Sequence, residues 1–315
     1  MTSQRELIAC EATLPNEASK DASVLNDFVS REEIPQTGIP TDPAVVTVGE
    51  LKVLYTNADQ FVNKLDELRK VIAGDEPDVM LITEVIPKAQ KNPMPQDRLS
   101  IPGYDIILNF DLQSNNLGGS GSRGVAIYVK DTFGASKVPF RGSDFIEHLL
   151  IELRLQGNAK LLVGCIYRSP SAKGRKGRQS MKSFRRLLGQ VTERYSHFII
   201  CGDFNAPQIH WKRDVSTARR RSHYQHELLK IIKDNGLFQK VVKPTWLRKG
   251  ARPSLLDLVI TTEEEIVRNL VHLPPLGKSD HQILRFDYHS TPSLQYLEPT
   301  VSGTMEGDMD NQTGC

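Results

Sequence analysis

"HFIICGDFN", residues 197–205, runs a short apolar stretch straight into a polar exit. HFII reads as a buried strand, and Asp203 and Asn205 stand where that strand leaves the core. Successive strand side chains point to opposite faces, so these two residues share a face. Two readings are open at this point. Gly, Asp and Asn all favour turns, which makes GDFN a strand-ending turn. An acid beside an amide at a strand's carboxyl end can also activate and orient a water.

Working outward, strand-like and helix-like segments interleave. LKVLYTN (51–57) reads as a strand, followed by the amphipathic FVNKLDELRKVIA with Phe61, Leu65, Leu68 and Ile72 at helical spacing. PDVMLITE is a strand again. YDIILNF, RGVAIYVK, HLLIELRL and AKLLVGCIYR then give four strand-like runs with no long helix between them. SMKSFRRLLGQVTERY reads as a helix, and so does SHYQHELLKIIKDNGL, closed by Asn235-Gly236. SLLDLVITT and QILRFDYH complete the set. Strand meanders with occasional helices predict two sheets packed face to face with helices outside. No GxGxxG loop is present, which disfavours a dinucleotide-binding order.

Residues 1–46 are polar without a sustained period, and IPQTGIPTDP breaks the chain before Val46. We expect a disordered or partly helical extension over 1–46, one domain over 47–290 and a disordered tail over 291–315. Of 315 residues, 39% are hydrophobic and 25% charged, ordinary globular usage, and 40 basic residues nearly cancel 38 acidic ones. No apolar run approaches the ~18 residues of a membrane span, and the N-terminus lacks a signal peptide's basic-then-apolar layout. Cys10, Cys165, Cys201 and Cys315 follow no metal-ligand spacing. A reducing compartment, nuclear or cytoplasmic, is the expectation, with no disulfide framework and no zinc site.

The strands end alike. VLYTN ends at Asn57 with Asp59 two positions on, VMLITE at Glu84, VGCIYR at Tyr167 and Arg168, and FIICGDFN at Asp203 and Asn205. Asp257 interrupts the apolar SLLDLVIT, and GKSDH places Ser279, Asp280 and His281 before the last strand. Singly, each is a turn former, a cap or a structural residue. A carboxylate within an apolar run, however, needs a partner. If the strand ends converge, carboxylates and amides without Cys suit Mg²⁺ or Mn²⁺. A carboxylate beside a His fixes the ring and favours its charged form. That inventory suits phosphate ester hydrolysis.

The order Asn57, Glu84, YRSP (167–170), GDFN (202–205), SLLDLVIT (254–261) and SDH (279–281) resembles the endonuclease/exonuclease/phosphatase family, over roughly residues 50–290. RGVAIYVK, YRSP, SLLDLVIT and GKSDH look most like endonuclease domains of non-LTR (LINE-type) retrotransposons, and Asn57-x-Asp59 is also similar to abasic-site endonucleases. The resemblance implies an α+β fold, a four-layer αββα sandwich of two mixed β-sheets, and a Mg²⁺- (or Mn²⁺-) dependent phosphodiesterase. It implies Glu84 as the main metal ligand, with Asp280, Asn57 and Asp59 assisting. Asp203 would orient or deprotonate the attacking water, Asn205 and Tyr167 would contact the phosphate, and His281 would pair with Asp257 and stabilise the added charge. Ser279 would brace the site, and Arg168 would face the substrate. The expected activity is a DNA nick leaving a 3′-hydroxyl, by a monomer. The expected partner beyond DNA is a reverse transcriptase domain, for which this chain is too short. Abasic-site repair and non-catalytic nucleic-acid binding are the alternatives.

Two basic segments bear on the substrate. SAKGRKGRQSMKSFRR (171–186) carries seven Lys or Arg, among them Lys173, Arg175, Lys176 and Arg178, and no acid. HWKRDVSTARRRSHYQH (210–226) carries five, including Arg219 and Arg220. Each reads as a solvated surface or as a flap holding nucleic-acid phosphates. Trp211 and Tyr224 could stack on a base or pack in the core.

Overall fold

The structure, a computed structural model, describes residues 50–87, 96–110, 123–140, 147–155, 160–219 and 223–289. The expected extension over 1–46, the expected tail over 291–315 and Arg220 lie outside the described residues. The chain runs through β1 (Glu50–Asn57), α1 (Leu65–Asp75), β2 (Val79–Thr83), β3 (Tyr104–Leu108), β4 (Val125–Lys130), β5 (Ala135–Lys137) and β6 (Glu147–Arg154). It continues through β7 (Lys160–Tyr167), α2 (Gly174–Thr192), β8 (His197–Asp203), β9 (Ile209–His210), β10 (Val215–Ser216) and α3 (Tyr224–Asp234). β11 (Phe238–Gln239), β12 (Asp257–Thr261), β13 (Val267–Leu273) and β14 (Ile283–His289) complete it. One six-stranded sheet has the order β13-β14-β1-β2-β4-β3 and the other β11-β12-β8-β7-β6-β5, with β9-β10 a separate hairpin. Both sheets are mixed, with the parallel pairs β1-β2 and β7-β8.

Strand alternation sorts the apolar residues into three cores. Leu161, Val163 and Cys165 of β7, Ile199 and Cys201 of β8 and Val259 of β12 meet Val53 and Tyr55 of β1 between the sheets. The intervening Leu162, Ile166, Phe198, Ile200 and Leu258 face Phe184, Leu187 and Leu188 of α2 and Leu228 and Ile231 of α3. On the far side, Leu54, Met80 and Ile82 pack on Leu65 and Leu68 of α1. The result is helix, sheet, sheet, helix. Each such aliphatic residue contributes roughly 1.5–3 kcal/mol by burial.

Gly202 of GDFN has a packing reason: a Cβ there would come 2.2 Å from the Ile166 carbonyl oxygen of β7. Only a residue without a side chain lets β8 lie this close to its neighbour.

Three local expectations are corrected. The first helix does not begin at Phe61. A 3₁₀ turn over Phe61–Asn63 follows Gln60 at φ 73, and α1 starts only at Leu65. The helix read from Ser180 starts six residues earlier: α2 begins at Gly174 and carries Arg175, Lys176 and Arg178 on its first turns. β13 has no counterpart in the sequence reading. A register shift between Arg268 and Val271, with Asn269 at φ 52, breaks its period of two. Among the described residues no helix is long and apolar enough to cross a membrane.

Candidate active site

Where the inter-sheet core ends, the inward positions turn polar. β8 carries Asp203 two residues beyond Cys201, on the same face, and β12 carries Asp257 two residues before Val259. The antiparallel register sets Asp257 directly opposite Asp203, and the parallel register sets Tyr167 beside Asp203. Across the sandwich, Asn57 ends β1 opposite Thr83 of β2, and Glu84 follows. These ends open into a cleft of about 950 Å³ lined by Asn57, Asp59, Glu84, Asp203, Asn205, Asp280 and His281 among others.

The buried side of the cleft is a connected set of polar groups. The His281 ring donates from Nδ1 to Asp257 Oδ2 at 2.7 Å, the donor assigned because an ionised carboxylate has no proton to give. Tyr55 donates its hydroxyl to the other oxygen, Asp257 Oδ1, at 2.8 Å. The backbone N–H groups of Leu256 and Asp257 both donate to Thr245 Oγ1. His281 Nε2 thereby faces Asp203 Oδ2 at 3.9 Å. Asp203 accepts from Asn57 Nδ2 at 2.9 Å and from the Asn205 N–H at 2.8 Å. Ser279 donates to the Asn57 carbonyl at 2.7 Å and accepts from the His281 N–H at 3.2 Å. The segment 245–254 folds back on the same region, with Trp246 bridged to both Ser254 and His281.

The other side holds Glu84 and Asp59. Arg123, 4% exposed, reaches Glu84 Oε2 at 2.7 Å and Asp59 Oδ1 at 3.1 Å through one nitrogen, Nη2. Tyr167 hydrogen-bonds Glu84. Glu84, Asp59 and Asn205 all have positive φ, at 56°, 39° and 48°. Such conformations of non-glycine residues cost roughly 1–3 kcal/mol each and concentrate at functional sites.

Burial and the neighbouring Asp257 carboxylate raise the pKa of Asp203 to about 7, against the opposing pull of His281 and the Asn205 N–H. For His281, burial disfavours the charge, but Asp257, by field and hydrogen bond, with Asp203 and Glu84, outweighs it and raises the ring to about 9. Burial, then Glu84 and Asp203, push the Tyr167 hydroxyl far up, so it stays a proton donor. An acid poised near neutrality thus sits beside a cationic imidazole.

A family profile described as Endonuclease-reverse transcriptase matches residues 161–285, from β7 into β14. The matched stretch, 125 of the 315 residues, is similar to the endonuclease/exonuclease/phosphatase family. Solved structures carry the same fold at low identity. The endonuclease domain of TRAS1, a telomere-specific non-LTR retrotransposon, is 18% identical with a TM-score of 0.56, covering 76% of this chain and 98% of that one. An AP endonuclease from Archaeoglobus fulgidus is 18% identical (TM-score 0.54, covering 76% and 99%), and one from Leishmania major is 14% identical (0.56, covering 77% and 88%). A search of curated proteins finds no match.

On this fold, Asn57, Asp59, Glu84, Asp203, Asn205, Asp280 and His281 line one cleft, together with Lys173 and Arg178. Tyr167, Asp257 and Ser279 stand directly behind it, buried. Arg168 does not face substrate. It is 1% exposed, its guanidinium lies over the Tyr224 ring at 3.4 Å, and it donates to Ser180 Oγ and the Ala172 carbonyl. It is the brace between β7 and α2. Arg175, Lys176 and Arg219 are exposed and are not among the residues lining the cleft. Trp211, partly buried, packs against the core under α2 and α3, whereas Tyr224, though buried, reaches the cleft wall and donates to the Asn205 carbonyl. Arg123, Tyr55 and Thr245 enter the site unannounced by the sequence. Tyr55 alone left a trace, as an inward position of the β1 alternation.

The donor chemistry of the cleft fits a hard divalent cation: Glu84, Asp59, Asp280 and the Asn57 amide all line it and offer oxygen, with Glu84 and Asp59 joined through Arg123 and Asp280 paired with Arg248 at 3.4 Å. Asp203, Asp257 and His281 also bring donor atoms within 4.8 Å of one another. There, however, both Asp257 oxygens already accept hydrogen bonds from Tyr55 and His281, so that cluster reads as a hydrogen-bonded relay.

Proposed function

We propose that this protein is a divalent-metal-dependent DNA endonuclease that nicks a phosphodiester bond and leaves a 3′-hydroxyl. The observation that carries the reading is the pairing, across one cleft, of the Asp203–His281–Asp257 set with Glu84 and Asp59. Asp203, with its pKa near neutrality, accepts the proton of a water attacking phosphorus. The His281 imidazolium, held by Asp257, faces the charge that develops on the phosphoryl oxygens. Asn205 spends one amide N–H on the Arg168 carbonyl and has a second for a phosphate oxygen. The bond from phosphorus to the 3′ oxygen breaks, and that oxygen takes up a proton. Tyr167 donates into Glu84 and steadies it, while Ser279 fixes Asn57 and the His281 backbone. A Mg²⁺ or Mn²⁺ held by Glu84, with Asp280, Asn57 and Asp59, would neutralise phosphate charge.

The likeness to a retrotransposon endonuclease domain, and the family description, support a target-nicking role whose 3′-hydroxyl primes a reverse transcriptase. The buried free thiols of Cys165 and Cys201 fit a reducing compartment, nuclear or cytoplasmic. A second reading, abasic-site repair, is supported by Asp59 sharing Arg123 with Glu84 and by the likeness to AP endonucleases. Purified protein with Mg²⁺ is given supercoiled plasmid and, separately, a duplex with one abasic site. Nicking of the intact plasmid at a comparable rate supports the first reading. Cleavage confined to the abasic duplex supports the second, and cleavage of neither overturns both.

A further inference from the structure

Arg123 is among the most constrained cations of the described fold. Its backbone N–H and that of Gly124 donate to the Glu147 carboxylate at 2.7–3.0 Å. Its Nε donates to the Ile86 carbonyl at 2.9 Å, and its Nη2 bridges Glu84 and Asp59. A guanidinium withdrawn from water needs counter-charge, and these two acids supply it. Lys64 adds a second cation at the same corner, with Nζ on the Asp59 carbonyl at 2.6 Å. Arg123 and Lys64 therefore offset part of the negative charge that Glu84 and Asp59 would otherwise offer an incoming metal ion. One oxygen of each acid is already engaged by Arg123.

We infer that Arg123 is a positioning residue with a second consequence: it holds Glu84 and Asp59 in place and keeps the site's affinity for a divalent cation low. The inference rests on the proposed cation site at Glu84. A metal ion that binds there does so against a fixed positive neighbour. Removing that charge while keeping the apolar stem lets the two carboxylates act undiminished. A lysine retains the charge and should retain the weak affinity.

The test is Mn²⁺ binding to the full chain without DNA, read by calorimetry or by loss of the free Mn²⁺ resonance signal, for wild type, Arg123→Met and Arg123→Lys. Arg123→Met should bind Mn²⁺ about tenfold or more tightly than wild type, the scale of one unit charge beside a divalent ion in strongly screened surroundings. Arg123→Lys should stay near wild type. Equal or weaker binding by Arg123→Met overturns the inference, and so does equally tight binding by Arg123→Lys. If Arg123→Met does not fold alone, Mn²⁺ should restore its cooperative unfolding by replacing the lost cation, and failure to do so also overturns the inference. No Mn²⁺ binding to wild type or variants contradicts the cation site itself, a different result from binding without tightening.

Discussion

Asp257 and His281 share a 2.7 Å hydrogen bond in a pocket that leaves Asp257 fully buried and His281 nearly so. The acid is spent on its partners, with one oxygen on the ring and the other on Tyr55, so its reach toward substrate runs through the imidazole. Truncating either member removes the same device. Asp257→Asn and His281→Ala should each lower the single-turnover nicking rate by roughly a hundredfold or more, the scale of a lost charge-stabilising donor. The double variant should be little worse than either alone. Additive losses, measured in one cycle, would mean that the two act separately.

Asp203 ties activity to stability. Its folded pKa of about 7 lies above the ordinary 3.8, so the folded state holds a proton that the unfolded chain has released. Its contribution to stability is therefore greatest at low pH and is lost as pH rises through that window. Asn cannot ionise, so the melting temperature of Asp203→Asn relative to wild type should rise between pH 5 and pH 8, measured in EDTA. A pH-independent difference would contradict the raised pKa.

The same two groups shape the pH profile. Turnover needs Asp203 ionised and His281 protonated, so kcat/KM should climb through about pH 7 and fall near pH 9. Asp257→Asn should move the falling limb to lower pH, because the carboxylate that raises the ring is gone. A falling limb unmoved by Asp257→Asn would contradict the pairing.

The helical placement of the basic run makes its residues unequal. Lys173 and Arg178 line the cleft, whereas Arg175 and Lys176 do not. Replacing Lys173 and Arg178 with Gln should weaken DNA binding and flatten its log–log salt dependence by about 0.9 per lost phosphate contact. The Arg175/Lys176 pair should change the slope less. Equal slopes for both pairs would return the segment to a solvated face.

The apolar strand runs made most of both sheets legible, and they marked Asp203 at a strand end and Asp257 within a strand as acids in need of a role, because a period of two fixes the face wherever the strand is regular. β13 escaped because its bulge at Asn269 breaks that period. Arg168 was misread because a basic residue after a strand looks solvent-bound, and nothing local announces that Tyr224, 56 positions later, will cover it. Arg123 was invisible for a related reason. Its role comes from Asp59 and Glu84 on other strand ends, a convergence that only the folded sheet order creates. The GDFN question has a double answer: Asn205 does make the turn onto Asp203 Oδ1, and both side chains belong to the cleft.

Glu84 is the residue on which the account turns, and its pairing with buried Arg123 decides how to test it. Glu84→Ala would leave Arg123 with Asp59 as its remaining acid partner and confuse folding with chemistry. Glu84→Gln keeps an oxygen for Arg123 while removing the charge. The direct measurement is conversion of supercoiled to nicked plasmid by wild type and Glu84→Gln in Mg²⁺, and by wild type in EDTA before and after Mg²⁺ is restored. The account predicts nicking by wild type in Mg²⁺, its loss in EDTA, its return with Mg²⁺, and at least a hundredfold lower rate for folded Glu84→Gln. Undiminished nicking in EDTA, or by Glu84→Gln, would contradict it.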